Sequence, residues 1–156
     1  MIRMAHSQDI DGLIRLLQQI ANLHHQGRPD IFKSGRQKYT AEELEDIITD
    51  KNRPVFVAVD DNNNLLGYCF CILRTPTSHP VFEDHLTLYI DDFCVDETIR
   101  GQGIGKKLFD AVLAYAHEQK AYNIDLNVWS FNEGAIKFYE NQGFTTRSQK
   151  MELILK

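Results

Sequence analysis

The sequence predicts one α/β domain over residues 1–156, with a mixed central sheet in the order β-α-α-β-β-β-α-β-α-β. Three observations carry this. The chain has 156 residues, 43% hydrophobic and 25% charged, which suits a single domain with a real core. Two apolar runs, Val55–Val59 and Leu65–Arg74, flank the turn-forming Asp61–Asn64, an antiparallel hairpin. Later, strand-like and helical segments alternate, as strand–helix–strand crossovers do.

Taken in order, Ile2–Ala5 is a short first strand. Ser7 can cap a helix with Asp9 and Asp11 in its first turn, where negative charge suits the dipole. Ile10, Leu13, Ile14, Leu17, Ile20 and Ala21 recur at helical spacing, and the helix should fade at His24–Gly27. Arg28–Lys38, with Pro, Gly and many charges, reads as a loop. Thr40 opens a capping box with Glu43, and the second helix, Ala41–Asp50, should bury Leu44, Ile47 and Ile48. Both faces of Leu65–Arg74 are apolar, so that strand should be central. Thr75–Asp84 contains two prolines and reads as a loop, followed by a strand over Leu86–Val95. A helix over Gly103–Gln119 presents Ile104, Leu108, Val112 and Tyr115 on one face. Ile124–Trp129 is a strand and Asn132–Asn141 a short helix stopped at Gly143. Thr146–Leu155 closes the chain as a strand with alternating Met151, Leu153 and Leu155.

Composition excludes several classes. A net charge of −5 argues against nucleic acid as a partner. No apolar run reaches the ~20 residues of a membrane span, and MIRMAHSQDID has no signal-peptide core, so a cytoplasmic location is expected. Cys69, Cys71 and Cys94 lie in apolar strand text and read as buried thiols; no metal is expected.

The stretch with chemical content is Tyr89–Leu108, YIDDFCVDETIRGQGIGKKL. A strand leads into a glycine-rich turn and a helix start, where backbone N–H groups without helical partners and the helix dipole favour an anion. Two nucleotide devices fail on spacing. A P-loop would need glycine at Arg100 and Ser or Thr at Lys107, and a dinucleotide fingerprint would need glycine at Lys106.

A third pattern, [Q/R]-x-x-G-x-[G/A], fits Arg100, Gly103 and Gly105, and the block Asn132–Phe144 fits N-x-x-A-x-x-F-Y-x-x-x-G-F. On these two blocks, and on an element order agreeing along nearly the whole chain, the sequence resembles the GNAT N-acetyltransferases. The resemblance implies the GNAT fold, acetyl-CoA as cosubstrate and an amine acceptor, in a small molecule or a peptide, attacking directly in a ternary complex. It implies that the backbone of Arg100, Gly101, Gln102, Gly103, Ile104, Gly105 and Lys106 cradles the pyrophosphate. Phe93, Cys94 and Val95 would pair with the pantetheine arm, a backbone N–H near Cys94 would polarise the acetyl carbonyl, and Asn132 would touch the arm. Tyr139 takes the place of the tyrosine that protonates the departing thiolate. Lys106 and Lys107 are available to add charge.

The base stays open. Adjacent strand residues face opposite sides, so Asp91 should side with Tyr89 and Phe93, and Asp92 with Ile90 and Cys94. The segment I-D-D-F-C-V resembles the E-D-F-F-V of spermidine/spermine-type acetyltransferases, with Asp91 in the glutamate's place; Asp92 and bulk water are the alternatives. Acceptor pockets in the family would fall here on His24–Tyr39 and Thr75–His85, with Arg28, Asp30, Phe32 and Arg36 as candidates. His24 and His25 read as solvated helix-end residues, and Trp129 as a core or interface residue. A homodimer is expected by analogy only. The rival function is an acetyl-CoA-binding regulatory module without turnover.

Overall fold

The computed structural model describes residues 1–76 and 78–155; the loop position Thr77 and the terminal Lys156 lie outside the described residues. The elements are β1 (Ile2–Met4), α1 (Ile10–Gly27), α2 (Ala41–Thr49), β2 (Val55–Val59), β3 (Leu65–Arg74), β4 (Thr87–Val95), α3 (Ile104–Glu118), β5 (Asn123–Leu126) and α4 (Glu133–Asn141). The sheet order is β1-β2-β3-β4-β5. The first four strands pair antiparallel, and β5 joins β4 parallel. One core packs α1 and α2 on one face, around Leu13, Leu17, Leu44, Tyr68 and Phe70. The other packs α3 on the opposite face, around Leu88, Ile90, Leu108 and Val112. As its two apolar faces require, β3 lies in the middle of the sheet, with Tyr68, Cys69, Phe70 and Cys71 all buried.

Local signals mostly act where the sequence puts them. Thr40 Oγ1 accepts the Glu43 N–H at 3.1 Å and Glu43 Oε1 accepts the Thr40 N–H at 3.1 Å, so the capping box at α2 is complete. Asn63 takes φ 62° in the β2–β3 turn. The start of α1 differs. A 3-10 turn at Ser7–Asp9 precedes it, and Ser7 spends its hydroxyl on Glu45 at 3.0 Å. The buried Asp9 instead accepts the His6 N–H at 2.7 Å and both Arg3 guanidinium nitrogens at 2.7 and 3.0 Å.

Three further expectations are corrected. The strand expected over Ile124–Trp129 ends at Leu126, because the chain beyond it is drawn off the sheet. Phe131 packs on Gly27, where an added Cβ would lie 2.3 Å from its ring, and Trp129 meets Phe32 at 5.1 Å. The closing strand expected over Thr146–Leu155 is not formed: its alternation suits a strand, but among the described residues no strand pairs with it. The third correction concerns Asp91 and Asp92 and shapes the site.

Candidate active site

Strand β4 carries one residue more than β3 opposite it. Phe70 faces Asp92 and Cys71 faces Ile90, so Asp91 has no opposite number: it is a β-bulge. The alternation breaks there. Leu88 and Ile90 point to the α3 core, while Cys94 points to the α1/α2 core. The two carboxylates do not face opposite sides. Lys38 Nζ lies 3.1 Å from Asp91 Oδ2 and 4.0 Å from Asp92 Oδ2, which puts both acids at one spot.

The acids differ in their surroundings. Asp91 accepts the Tyr39 hydroxyl at 2.7 Å, and Arg53 donates to that hydroxyl at 3.1 Å. Burial first, and Asp91 second, push the Tyr39 phenol upward, so it stays a donor. Asp92 sits deeper, its side chain 9% exposed. Among the described residues, its one hydrogen-bonding side chain is the buried Tyr68, at 3.2 Å. Burial raises the Asp92 carboxyl to about 6, against the pull of Lys38 and Tyr68 and with a push from Asp91. A carboxylate at that value is mostly ionised at neutral pH yet basic enough to take a proton. The Phe70 and Tyr39 rings lie tilted against each other at 5.8 Å, and Lys38 Nζ lies 5.5 Å from the Tyr39 ring centre.

Past Ile90, β4 loses its neighbour. β5 pairs only from Asn123 to Leu126, so Asp91–Val95 has a free backbone edge on that side, opened where β5 leaves the sheet. An extended chain could pair there as a strand does. Phe93 lies against Phe138 and Tyr139, at 5.4 and 6.2 Å between ring centres. The Tyr139 hydroxyl has no hydrogen-bond partner among the described residues, unlike a structural core tyrosine, and burial raises its pKa. It is therefore protonated at neutral pH.

The slot continues into the glycine turn. Gly101 and Gly103 have φ of 86° and 76°, a region costly for other residues, and nothing lies within 4 Å of a Cβ built on either. Gly103 is the N-cap of α3. Among the described residues, the first N–H of this turn with a backbone acceptor is that of Lys107, bonded to Gly103 O at 3.1 Å. The N–H groups of residues 101–106 are left over, beside open space, at the positive end of a 15-residue helix. That set suits a pyrophosphate. Gly105 is small for a different reason, since a Cβ there would meet the Phe138 ring at 3.2 Å.

The side chains of other expected residues have partners within the chain itself. Lys106 pairs with Asp110 at 3.0 Å. Arg100 turns back to the Val95 carbonyl at 3.4 Å. Asn132 Oδ1 caps α4 through the Ala135 N–H at 3.2 Å. Cys94 is buried and its thiol is pushed up to about 12 by burial, so it is no nucleophile. His24 and His25 are half-buried rather than solvated: His24 stacks on Phe32 at 4.9 Å, and His25 Nδ1 lies 2.7 Å from the Phe32 carbonyl oxygen. Arg28 is committed to Asp30 and Glu152, and Arg36 is exposed. Among the described residues no cluster of His, Cys, Asp and Glu could hold a metal ion.

Sequence reasoning singled out none of four residues at the site, although Lys38 and Tyr39 fall at the end of the expected His24–Tyr39 pocket region. Lys38, Tyr39 and Arg53 reach the acids from outside β4, and no local pattern marks them. The fourth is Asp96, buried where β4 ends. It accepts Arg15 at 2.6 Å, Gln19 at 3.3 Å and the Thr98 N–H at 3.1 Å, tying the approach to the glycine turn onto α1. These bonds overrule burial and hold its carboxyl at about 2.

A free strand edge leading to an anion cradle, with acids and a protonated tyrosine nearby, suits an acyltransferase that draws its acyl group from an extended, phosphate-bearing carrier. The family model described as acetyltransferase (GNAT) family matches residues 17–144, and the chain belongs to that family of N-acetyltransferases, whose acetyl donor is acetyl-CoA. The chain is 26% identical to the peptidyl-lysine N-acetyltransferase YjaB of Salmonella typhimurium, over 97% of this chain and 89% of that protein. A 58-residue stretch is 34% identical to the spermine/spermidine N(1)-acetyltransferase of Bacillus subtilis, covering 36% of this chain and 38% of that one. Among solved structures, a mutant of the BH1408 protein from Bacillus halodurans superposes with a TM-score of 0.96 at 33% identity, over 100% of this chain and 99% of that one.

Proposed function

We propose that residues 1–156 form a single catalytic domain acting in the cytoplasm, which acetylates the primary amine of a flexible alkylammonium, a lysine side chain of a peptide or a polyamine-like small molecule, by direct attack in a ternary complex. One observation carries the acceptor class. The chain's own Lys38 ammonium lies 3.1 Å from Asp91 and 4.0 Å from Asp92, beside the Tyr39 ring. Two acids and an aromatic face make a site suited to an alkylammonium tip. That the relatives named above act on peptidyl lysine and on spermine or spermidine agrees with this class.

Asp92 takes the amine's proton, directly or through water, since burial raises its carboxyl to about 6. Asp91, held by Tyr39, positions the ammonium. This reverses the preference that the E-D-F-F-V likeness alone suggests. The N–H groups of residues 101–106 hold the pyrophosphate, and the free edge at Phe93–Val95 holds the pantetheine arm, with the N–H near Cys94 aimed at the acetyl oxygen. Bound acetyl-CoA supplies the thioester that the amine attacks. Tyr139 Oη keeps the proton needed by the departing sulfur. With the Cys94 thiol at about 12, an acyl-cysteine route has no thiolate to start from. Asn132 caps α4 and keeps Tyr139 at the slot.

The test is a panel of primary amines (lysine peptides, polyamines, aminoglycosides, arylamines) read by release of free thiol from acetyl-CoA. Turnover on alkylamines, with little on arylamines, is the expected result. Thermal stabilisation by CoA with no thiol released on any amine would overturn the reading in favour of a binding module.

A further inference from the structure

The acids of the site already hold an amine, and it is the chain's own. Lys38 Nζ lies 3.1 Å from Asp91 Oδ2, 4.0 Å from Asp92 Oδ2 and 3.4 Å from the Asp91 carbonyl oxygen. Of the lysines among the described residues, only Lys38 and Lys106 form ion pairs, and Lys106 pairs with Asp110 along its own helix. The backbone that carries Lys38 is pinned on both sides. After it, Tyr39 donates its hydroxyl to Asp91 at 2.7 Å and Thr40 caps α2. Before it, Gln37 donates to the Tyr39 carbonyl at 2.9 Å, and Phe32 stacks on His24 at 4.9 Å. The Lys38 side chain itself is 42% exposed, so its stem has room to swing. Asp92 and Cys94 are two residues apart on β4, about 7 Å. An amine held at the acids therefore stands within a lysine stem's swing of the N–H proposed to take the acetyl oxygen.

We propose that Lys38 is a self-acetylation site: with acetyl-CoA bound and no other amine present, the protein transfers the acetyl group in cis to its own Lys38 Nζ, and this frees the two acids for an alkylammonium from solution. The proposal rests on the alkylamine reading above. Asp92 takes one proton from the Lys38 ammonium, and the lone pair so freed on Nζ attacks the acetyl carbonyl carbon. A bond forms from Nζ to that carbon, the carbon–sulfur bond breaks with its electron pair on sulfur, and Tyr139 gives the sulfur its proton. Asp92 then passes its proton to water and Tyr139 takes one back, so the products are acetyl-lysine, free CoA thiol and one proton. A tethered acceptor sits at an effective concentration on the order of millimolar, and it needs no encounter. Arginine at 38 would neutralise the acids equally well, but a guanidinium stays protonated and cannot attack. The acetylated side chain has no charge to hold it between Asp91 and Asp92, and its half-exposed stem lets it swing out. Until then Lys38 competes with every ammonium that approaches.

The test is a time course of the full chain with acetyl-CoA, read by peptide mass spectrometry. Lys38 should gain one acetyl group at least about tenfold faster than the exposed Lys51 and Lys120, which report uncatalysed acetylation. The rate constant should not change on dilution. A saturating alkylamine should protect Lys38, and Asp92→Asn should bring it down to the rate of Lys51 and Lys120. Protein fully acetylated at Lys38 should show a KM for the alkylamine about two- to fivefold lower than fresh protein, the weight of an ion pair to a half-exposed ammonium. Lys38→Arg should show no such fall after the same incubation. Acetylation of Lys38 no faster than that of Lys51 and Lys120, or equally fast in Asp92→Asn, would overturn the inference. If an alkylamine releases thiol in that same sample, the proposed function stands without it; no thiol on any amine and no acetyl on Lys38 would overturn both. A rate constant that falls on dilution would refute transfer in cis, and a KM unmoved by complete acetylation would refute the freeing of the acids. If Asp92→Asn fails to fold, protection by the alkylamine still decides.

Discussion

Replacing Asp92 with Asn should make the protein more stable and less active, with both effects depending on pH. The Asp92 carboxyl is raised from 3.8 to about 6 in the fold, chiefly by burial. A group raised above its unfolded value contributes its full stability below the unfolded pKa and loses it as pH rises through the folded one. A shift of roughly two units at 1.36 kcal/mol each is about 3 kcal/mol, lost between about pH 4 and pH 6. The side chain is only 9% exposed, so little of this is discounted for solvent screening. Asn keeps the shape and an acceptor for Tyr68, and it carries no charge to bury. Chemical denaturation should therefore show wild type and variant nearly equal at pH 4, with the variant ahead by up to about 3 kcal/mol at pH 8. Turnover should fall about a hundredfold or more near pH 7, the usual size of a base contribution. The deficit should shrink at pH 9–10, where the amine loses its proton unaided. A stability difference constant from pH 4 to pH 8 would refute the burial argument, and a kcat/KM limb near 6 surviving in the variant would refute Asp92 as its source.

Tyr139→Phe keeps the ring contacts with Phe93, Phe138 and Phe144, so calorimetry should find acetyl-CoA affinity within about twofold of wild type while kcat falls at least tenfold. Gly103→Val forces a branched residue to φ 76° and crowds the cradle; acetyl-CoA binding should weaken at least tenfold, with about 1–3 kcal/mol lost in stability. Gly134→Ala, with open space around it, is the matching control and should leave binding unchanged. Asp96→Ala strands Arg15, itself half exposed, and should cost about 2 kcal/mol in thermal or urea unfolding. Because the Asp96 carboxyl is lowered to about 2, its contribution is present above pH 4 and fades as pH falls through about 2, so wild type and variant should converge in strong acid.

The parts of this molecule legible in its sequence are those set by near neighbours along the chain. The capping box at Thr40, the hairpin turn within Asp61–Asn64 and the glycine turn that opens α3 each depend on a few consecutive residues and form where expected, and the asparagine cap of α4 at Asn132 is equally local. The buried runs of β2 and β3 fix the centre of the sheet through their apolar content. The glycine turn could be assigned because an anion cradle is itself a local device, a short run of N–H groups at one helix end.

Three features were decided only by the tertiary structure. Whether Asp91 and Asp92 diverge or converge depends on one unpaired residue in the register of β4 against β3, and register is a property of two strands. Lys38, Tyr39 and Arg53 join those acids across the fold, and only the packing of α2 and its preceding loop on the sheet sets that distance. The same holds for the last segment: alternation gives Met151, Leu153 and Leu155 the capacity to be a strand, but a strand exists only beside another one. The sequence by itself thus determined which elements form and where an anion can be held. The acids' shared site, and the open edge beside an unpaired tail, came from contacts between residues far apart in the chain, whose energies no local pattern records.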